Sequence, residues 1–414
     1  MAECILTIAV LTWLLTQYAK TRIRWKFSLI TQFIVGWLVL ELAWLHGVIH
    51  AVLLVMTLGD FNDWSFGTLI GVGLTGFNIY RFWLIHRHGD AAGRELETAL
   101  KTGLGDDYRQ AINPARSSLL DSVDPQQWLK PFSFACPGME TIRGINYGPH
   151  ERNTLDLHRP LAKSDKPRPV MLQIHGGGWT LGYGEKQALP LRNKLVEAGW
   201  IFVAINYRLS PDHKFPAHLV DCKQALAWIK NNIADYGGDP DFIMTTGGSA
   251  GGHLCSLLAL TANRHQELLQ PGFADADTTV QGCISMYGVY DFADRHQHRA
   301  DMPMIDFLQD YVMPDSLADN PELWDIASPV AQVQAERPPF MVIHGELDTL
   351  AFVEDARHFA AAMKAAGDAP LAWAELSQAQ HAFDIFWSPR CVHSVNAMHR
   401  FAEWVYSRHL DGSR

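Results

Sequence analysis

Charge is in short supply in this chain. Asp, Glu, Lys and Arg make up 19% of its 414 residues, where about a quarter is usual for a soluble domain. The hydrophobic share of 48% nevertheless excludes intrinsic disorder. Basic residues are the scarcer sign, 34 against 44 acidic, and the formal net charge is −10. The chain therefore lacks the basic excess of a nucleic-acid binder. Cysteine is sparse as well. Cys4, Cys136, Cys222, Cys255, Cys283 and Cys391 stand far apart, with no CxxC and no Cys/His cluster. That spacing suggests neither a disulfide scaffold nor a zinc site. No fixed-period repeat and no low-complexity tract is present.

What the chain has in abundance is apolar sequence in its first ninety residues. Residues 5–19, 27–58 and 64–85 are apolar, with Glu41 and Arg81 as the formal charges inside them. A membrane span needs about 20 such residues. The middle segment would run to about 48 Å as one helix, too long for a simple span, and as two helices it would be short, with a break near His46-Gly47. A cleaved signal peptide does not fit, because Glu3 stands where a basic n-region belongs and the cluster Lys20, Arg22, Arg24, Lys26 follows the apolar run. The positive-inside rule places that cluster, and Arg81, Arg87 and Arg94, in the cytoplasm. The acidic loop at Asp60 and Asp63 then lies outside. Three spans are favoured over four, giving a multi-pass membrane protein whose C-terminal domain is cytoplasmic, with a buried apolar helical bundle in a soluble protein as the alternative. Glu41, His46 and His50 are polar groups within this region, with Glu41 expected to pair inside the helical bundle. Gly67 and Gly71 permit close helix contact.

Beyond residue 135 strands and helices alternate. TIRGINYG (141–148) and NTLDLHRP (153–160) read as an antiparallel pair. Apolar strands follow at 170–175, 200–206, 242–247, 280–288, 340–345 and 371–376. Helices are expected at 186–199, 216–237, 250–263, 353–366 and 391–408. This is the α/β class, a mostly parallel sheet with helices on both faces. The division is residues 1–88 as a transmembrane helical region, 89–135 as a connector or cap, and 136–414 as the catalytic domain. In such sheets ligands bind beyond the carboxyl ends of the strands.

That is where the unusual residues stand. Gly247-Gly248-Ser249-Ala250-Gly251 fits G-x-S-x-G between a strand and a helix, a sharp turn that lifts a serine hydroxyl into the open. His175-Gly176-Gly177-Gly178-Trp179 follows another strand. Its backbone N–H groups at Gly176 and Gly177, with that of Ala250, suit a developing oxyanion. Asp348 and His381 follow two later strands. Serine is a weak nucleophile at neutral pH and needs a histidine to take its proton and an acid to orient that histidine. The order Ser249, Asp348, His381 is the one this strand–turn–helix context requires. Glu346 and Asp384 are rival acids, and His175 is read as a brace for the glycine loop. The insert from Asp291 to Pro338 reads as either a packed excursion or a wall of the site, and His296 and His298 in it have no specific metal spacing.

HGGGW, NYRLSPDHKFPAHLVD (206–221), GGSAGG and HGELDTL together resemble the hormone-sensitive-lipase-like and arylacetamide-deacetylase-like carboxylesterases of the α/β-hydrolase fold, over residues 140–408. The resemblance implies ester hydrolysis through an acyl-enzyme, with no cofactor and no metal. Two departures are Gly248, where the family commonly has an acid, and VEDARHFAAAMKAAG in place of its frequent DPLRDE wording. The expected partners are a lipophilic ester substrate and the lipid bilayer, not nucleic acid. An amidase or deacetylase on the same site, and a non-catalytic membrane ligand-binding protein, are the alternatives. The orientation has a direct check. A C-terminal reporter that works only in the cytoplasm should be active, and activity from a periplasm-only reporter would reverse the assignment.

Overall fold

A computed structural model describes residues 2–23, 27–59, 64–117, 119–124, 126–299 and 304–412, with the side chains of Ala2 and Glu3 left aside. The expectations for Arg24, Lys26 and the acidic loop at residues 60–63 lie outside the described residues. Four helices open the chain: α1 (Ala2–Lys20), α2 (Leu29–Glu41), α3 (Ala43–Leu58) and α4 (Phe66–Leu104). Among the described residues α4 alone is long and apolar enough to cross a membrane. The pair α2 and α3, bent by 74°, would make a second span if it acts as one. The three spans of the sequence reading are thus reduced to one or two, and multi-pass insertion is not supported. The break falls at Leu42, directly after Glu41, and not near His46-Gly47, where the sequence reading allows one.

Helix α4 is 39 residues long, about 58 Å at 1.5 Å per residue. Ser65 and Thr68 close its N-terminus as a reciprocal capping box. Its apolar half packs on α1 and α3, and Asn78 donates from Nδ2 to the carbonyl of Ala9 at 2.9 Å. The two helices touch so closely at Gly71 that a Cβ there would stand 2.7 Å from the backbone nitrogen of Leu6. That glycine therefore serves contact within the chain. The polar half of α4 continues without a break across residue 88 and buries Ala92, Leu96 and Leu100 against the next domain. The boundary read from composition marks a change of surroundings inside one helix.

The sheet has eight strands in the order β1-β2-β4-β3-β5-β6-β7-β8. They are β1 (Met139–Asn146), β2 (Thr154–Pro160), β3 (Arg168–Ile174), β4 (Ile201–Ile205), β5 (Gly238–Gly248), β6 (Gly282–Met286), β7 (Phe340–Gly345) and β8 (Leu371–Leu376). β1 and β2 run antiparallel and the remaining strands are parallel to one another. Five longer helices cover it: α5 (Leu189–Glu197), α6 (Ala217–Asn232), α7 (Ala250–Leu260), α8 (Val353–Ala366) and α9 (Pro389–Leu410). Successive strand side chains alternate between the faces. Leu172, Val203 and Ile243 meet α6 and α7 on one face. Met171, Phe202 and Met244 meet the polar half of α4, α5 and α9 on the other.

The opening helices are tied to this domain by charge. Glu41, 2% exposed, is ion-paired with the fully buried Arg390 of α9 and accepts a 2.7 Å hydrogen bond from Ser388 Oγ. It pairs with the catalytic domain and not within the bundle, as the sequence reading had it. A buried pair broken on one side leaves an uncompensated charge. Glu41→Ala is expected to destabilise the protein by about 3–5 kcal/mol, read as a lowered unfolding midpoint. A midpoint equal to that of the native chain would mean the pair is not load-sharing.

Candidate active site

Four strand ends meet at the site, those of β3, β5, β7 and β8. Ser249, between β5 and α7, has φ 60° and ψ −125°. Left-handed backbone costs a non-glycine residue about 1–3 kcal/mol and persists only where packing imposes it. Here Ser249 N–H donates to the Met286 carbonyl at 3.0 Å, and the Ser249 carbonyl accepts from His253 N–H at 3.0 Å. The side chain remains half-exposed at the N-terminus of α7, where unpaired N–H groups and the helix dipole favour negative charge.

Asp348 follows β7 and is fully buried. Its Oδ1 accepts from the N–H groups of Leu350 and Ala351 at 2.9 and 2.8 Å. Its Oδ2 accepts from His381 Nδ1 at 2.7 Å, and His344 Nε2 lies 3.4 Å away. Burial pushes the Asp348 pKa up, but His381 and His344 outweigh it and hold the carboxyl well below the ordinary carboxylate range. The rival acids are engaged elsewhere. Glu346 accepts from the Gln378 N–H at 2.9 Å, and Asp384 from the Tyr287 hydroxyl. No hydrogen bond joins the Ser249 hydroxyl to His381 among the described residues. Such bonds are often long before substrate binds.

Tyr287 connects the two halves of the site. A Cβ on Gly248 would stand 2.5 Å from its hydroxyl, so the residue before Ser249 has no room for a side chain. Its ring also packs on the His381 imidazole, with centroids 4.7 Å apart. Burial raises the Asp384 pKa, against the hydrogen bond from Tyr287. Gly248 and Tyr287 thus account together for the departure at the serine turn.

The glycine loop after β3 is held from behind. Tyr207 stacks on His175 at 4.2 Å between centroids, and its hydroxyl donates to the His175 carbonyl at 2.9 Å. Arg208 and Asp221, from the 206–221 motif, form a bidentate ion pair that fixes Tyr207's segment. His175 Nδ1 donates to the Gly176 carbonyl at 2.8 Å, the bracing role expected of it. One expectation changes. The Gly176 N–H donates to Gln187 Oε1 at 2.7 Å, so it is not open to an oxyanion. The N–H groups of Gly177, Gly178 and Ala250 have no acceptor among the described residues. Sequence spacing could not reveal Gln187, a residue eleven positions away in a separate turn.

The Asp291–Pro338 insert contributes to both of its proposed roles. Phe292, Leu308, Val312 and Trp324 join the core, while Phe307 stands over Gly178. His296 and His298 stack with His358. Among the described residues no group of three or more His, Cys, Asp or Glu side chains is arranged to hold a metal ion.

The fold and the strand-end layout define an α/β-hydrolase of the esterase type. Comparisons with known proteins agree. The chain is 42% identical over 337 residues to the probable carboxylic ester hydrolase LipM of Mycobacterium tuberculosis, covering 80% of this chain and 76% of that one. It is 46% identical over 269 residues to the esterase LipQ of the same organism, covering 64% of this chain and 63% of LipQ. Esterase B from Lactobacillus rhamnosis shares the fold with a TM-score of 0.57 at 22% identity, over 67% of this chain and 89% of that structure. Residues 155–363 match the BD-FAE family, and the chain belongs to it. The protein is a carboxylesterase. Ser249 and Asp348 lie within the matched residues and His381 lies beyond them.

The brace makes a pH prediction. Burial drives the His175 pKa down to about 4. A group with a depressed folded-state pKa stabilises above its unfolded value, about 6.5, and that contribution is lost as pH falls toward 4. The penalty is at most about 3 kcal/mol. Unfolding midpoints should fall between pH 6.5 and 4, and His175→Asn should flatten part of that slope. An unchanged slope in the variant would assign the acid loss to other groups.

Proposed function

We propose that this carboxylesterase is anchored in a membrane by its N-terminal helices and cleaves lipophilic esters through Ser249, His381 and Asp348. The Asp348–His381 hydrogen bond of 2.7 Å beside the strained serine turn carries the reading. Ser249 Oγ attacks the ester carbonyl while His381 Nε2 takes its proton. Asp348 keeps the Nδ1 proton in place and stabilises the imidazolium. The oxyanion is received by the N–H groups of Gly177, Gly178 and Ala250, each worth about 2.7–4 kcal/mol in comparable sites. Collapse breaks the C–O bond, and His381 gives its proton to the leaving alcohol. Water then attacks the acyl-enzyme with His381 again as base. The acid leaves and Ser249 regains its proton.

The membrane part rests on surface chemistry. Leu11 and Leu14 on α1, Val52 and Val55 on α3, and Leu69 and Phe77 on α4 are all exposed. An apolar surface of that breadth calls for a nonaqueous partner. With the bent α2–α3 pair and α4 both crossing, the basic residues favour a catalytic domain on the cytoplasmic side. A lipophilic substrate is also consistent with a similar protein of Oryza sativa subsp. japonica, a probable isoprenylcysteine alpha-carbonyl methylesterase, 32% identical over 219 residues.

The test is a series of p-nitrophenyl esters from acetate to palmitate in detergent, with native protein and Ser249→Ala side by side. Turnover should fall at least about 10³-fold in the variant, with the native optimum at medium or long chains. Equal rates in both proteins would remove Ser249 as nucleophile. Extraction of the protein from membranes by alkaline carbonate would remove the anchor.

A further inference from the structure

The apolar N-terminal helices do more than adjoin the catalytic domain. The first half of the bent pair, α2, rests on the two loops that carry Asp348 and His381. The Phe33 ring meets the His381 imidazole edge-on, with centroids 5.8 Å apart and planes at 82°. One turn on, Trp37 donates from Nε1 to the carbonyl of Ala382 at 2.9 Å, and its ring packs on Phe386 at 4.9 Å. Ala382 is the residue after the histidine and sits at φ 59°. A backbone held in that region needs partners that fix it, and Trp37 supplies one.

The same helix reaches the acid. Thr349, directly after Asp348, donates from Oγ1 to the carbonyl of Leu29 at 3.2 Å. Gln380 clasps the two loops: its Oε1 accepts from Thr349 N–H at 2.9 Å and from His381 N–H at 3.0 Å. Gln380 is in turn covered by Gly36 of α2, where an added Cβ would stand 3.1 Å from Nε2. The Glu41–Arg390 pair closes one end of α2, and Arg22, just ahead of it, makes a bidentate bond to Glu354 at 3.0 and 2.8 Å. His381 is left only 4% exposed. The opposite side of α2 presents Ile30, Ile34 and Leu38, which are exposed. They recur every four residues, so they form one stripe along the helix.

We propose that α2 is a positioning element of the active site, holding the turn after β7 and the loop after β8 so that Asp348 and His381 stay in register with Ser249. The inference rests on the triad reading above. Phe33 and Trp37 are positioning residues, since they act through His381 and its loop. A helix that served only to tether the domain would need no contact with either loop.

The experiment uses the full chain in detergent, with p-nitrophenyl acetate as a substrate too short to need an acyl pocket. Phe33→Ala, Phe33→Leu and Trp37→Phe are compared with native protein for kcat, KM, unfolding midpoint and rate of inactivation by a fluorophosphonate. A misplacement of about 1 Å costs on the order of a hundredfold in rate. Phe33→Ala should therefore lower kcat by about tenfold to a hundredfold and slow phosphonylation in parallel, with KM within about twofold. Phe33→Leu should recover most of the loss. Trp37→Phe keeps an aromatic ring against Phe386 but loses the N–H and part of the indole, so it should fold and still lose kcat. Native kcat and phosphonylation rates in the folded variants would overturn the proposal, as would losses that only track the fraction of folded protein. Ser249→Ala serves as the control. Activity persisting there would remove the triad reading itself, and this inference with it, whereas a dead control with unaffected α2 variants would overturn the inference alone.

Discussion

The left-handed backbone at Ser249 is the constraint around which the catalytic domain is organised. A serine at φ 60° is unstable on its own, and the neighbours that hold it there are backbone groups of β6 and α7. They require β5, β6 and α7 to approach with almost no side-chain volume between them. That requirement selects the glycines on both sides of the serine and places the Tyr287 ring where a side chain at 248 would otherwise stand. The strain is thus maintained by packing in the middle of the sheet, where rearrangement is most costly.

Around that point stand side chains that hold other parts of the site in place. Tyr207, Arg208 and Asp221 stiffen the glycine loop, Gln187 consumes one of its N–H groups, and Gln380 links the acid turn to the histidine loop. Buried polar groups of this kind are costly unless fully satisfied, and satisfied networks specify one arrangement. Burial keeps the His175 ring uncharged, and the hydrogen bond to the Gly176 carbonyl pulls the other way without outweighing it.

Much of this was legible in the sequence, for a physical reason. A strand buried on both faces reads as an unbroken apolar run, so β7 falls where the pattern places it, at 340–345; β8 at 371–376 and the helix α8 at 353–366 also fall within their expected bounds. Ser249, Asp348 and His381 stand at strand ends because sharp turns there demand small or polar residues. Contacts between distant segments were not legible. Gln187 and Tyr287 carry no local signal of their roles, and the pairing of Glu41 with Arg390 spans almost the whole chain. Periodicity also could not separate one long helix from a bent pair at Leu42, since an apolar run reads the same in both. The count of three spans and the Gly176 donor are the expectations that long-range structure revised.

Helix α4 has a further consequence. It is a single rod whose first half bears the apolar surface and whose second half is built into the core beside β8 and α9. No linker separates the two, so with the first half in a bilayer the serine would sit at one height and one tilt above the lipid. Such an enzyme does not search a volume. Its encounters are set by how many ester molecules occupy each unit of membrane area, and a substrate diluted in the surrounding water but concentrated in the lipid would count as abundant.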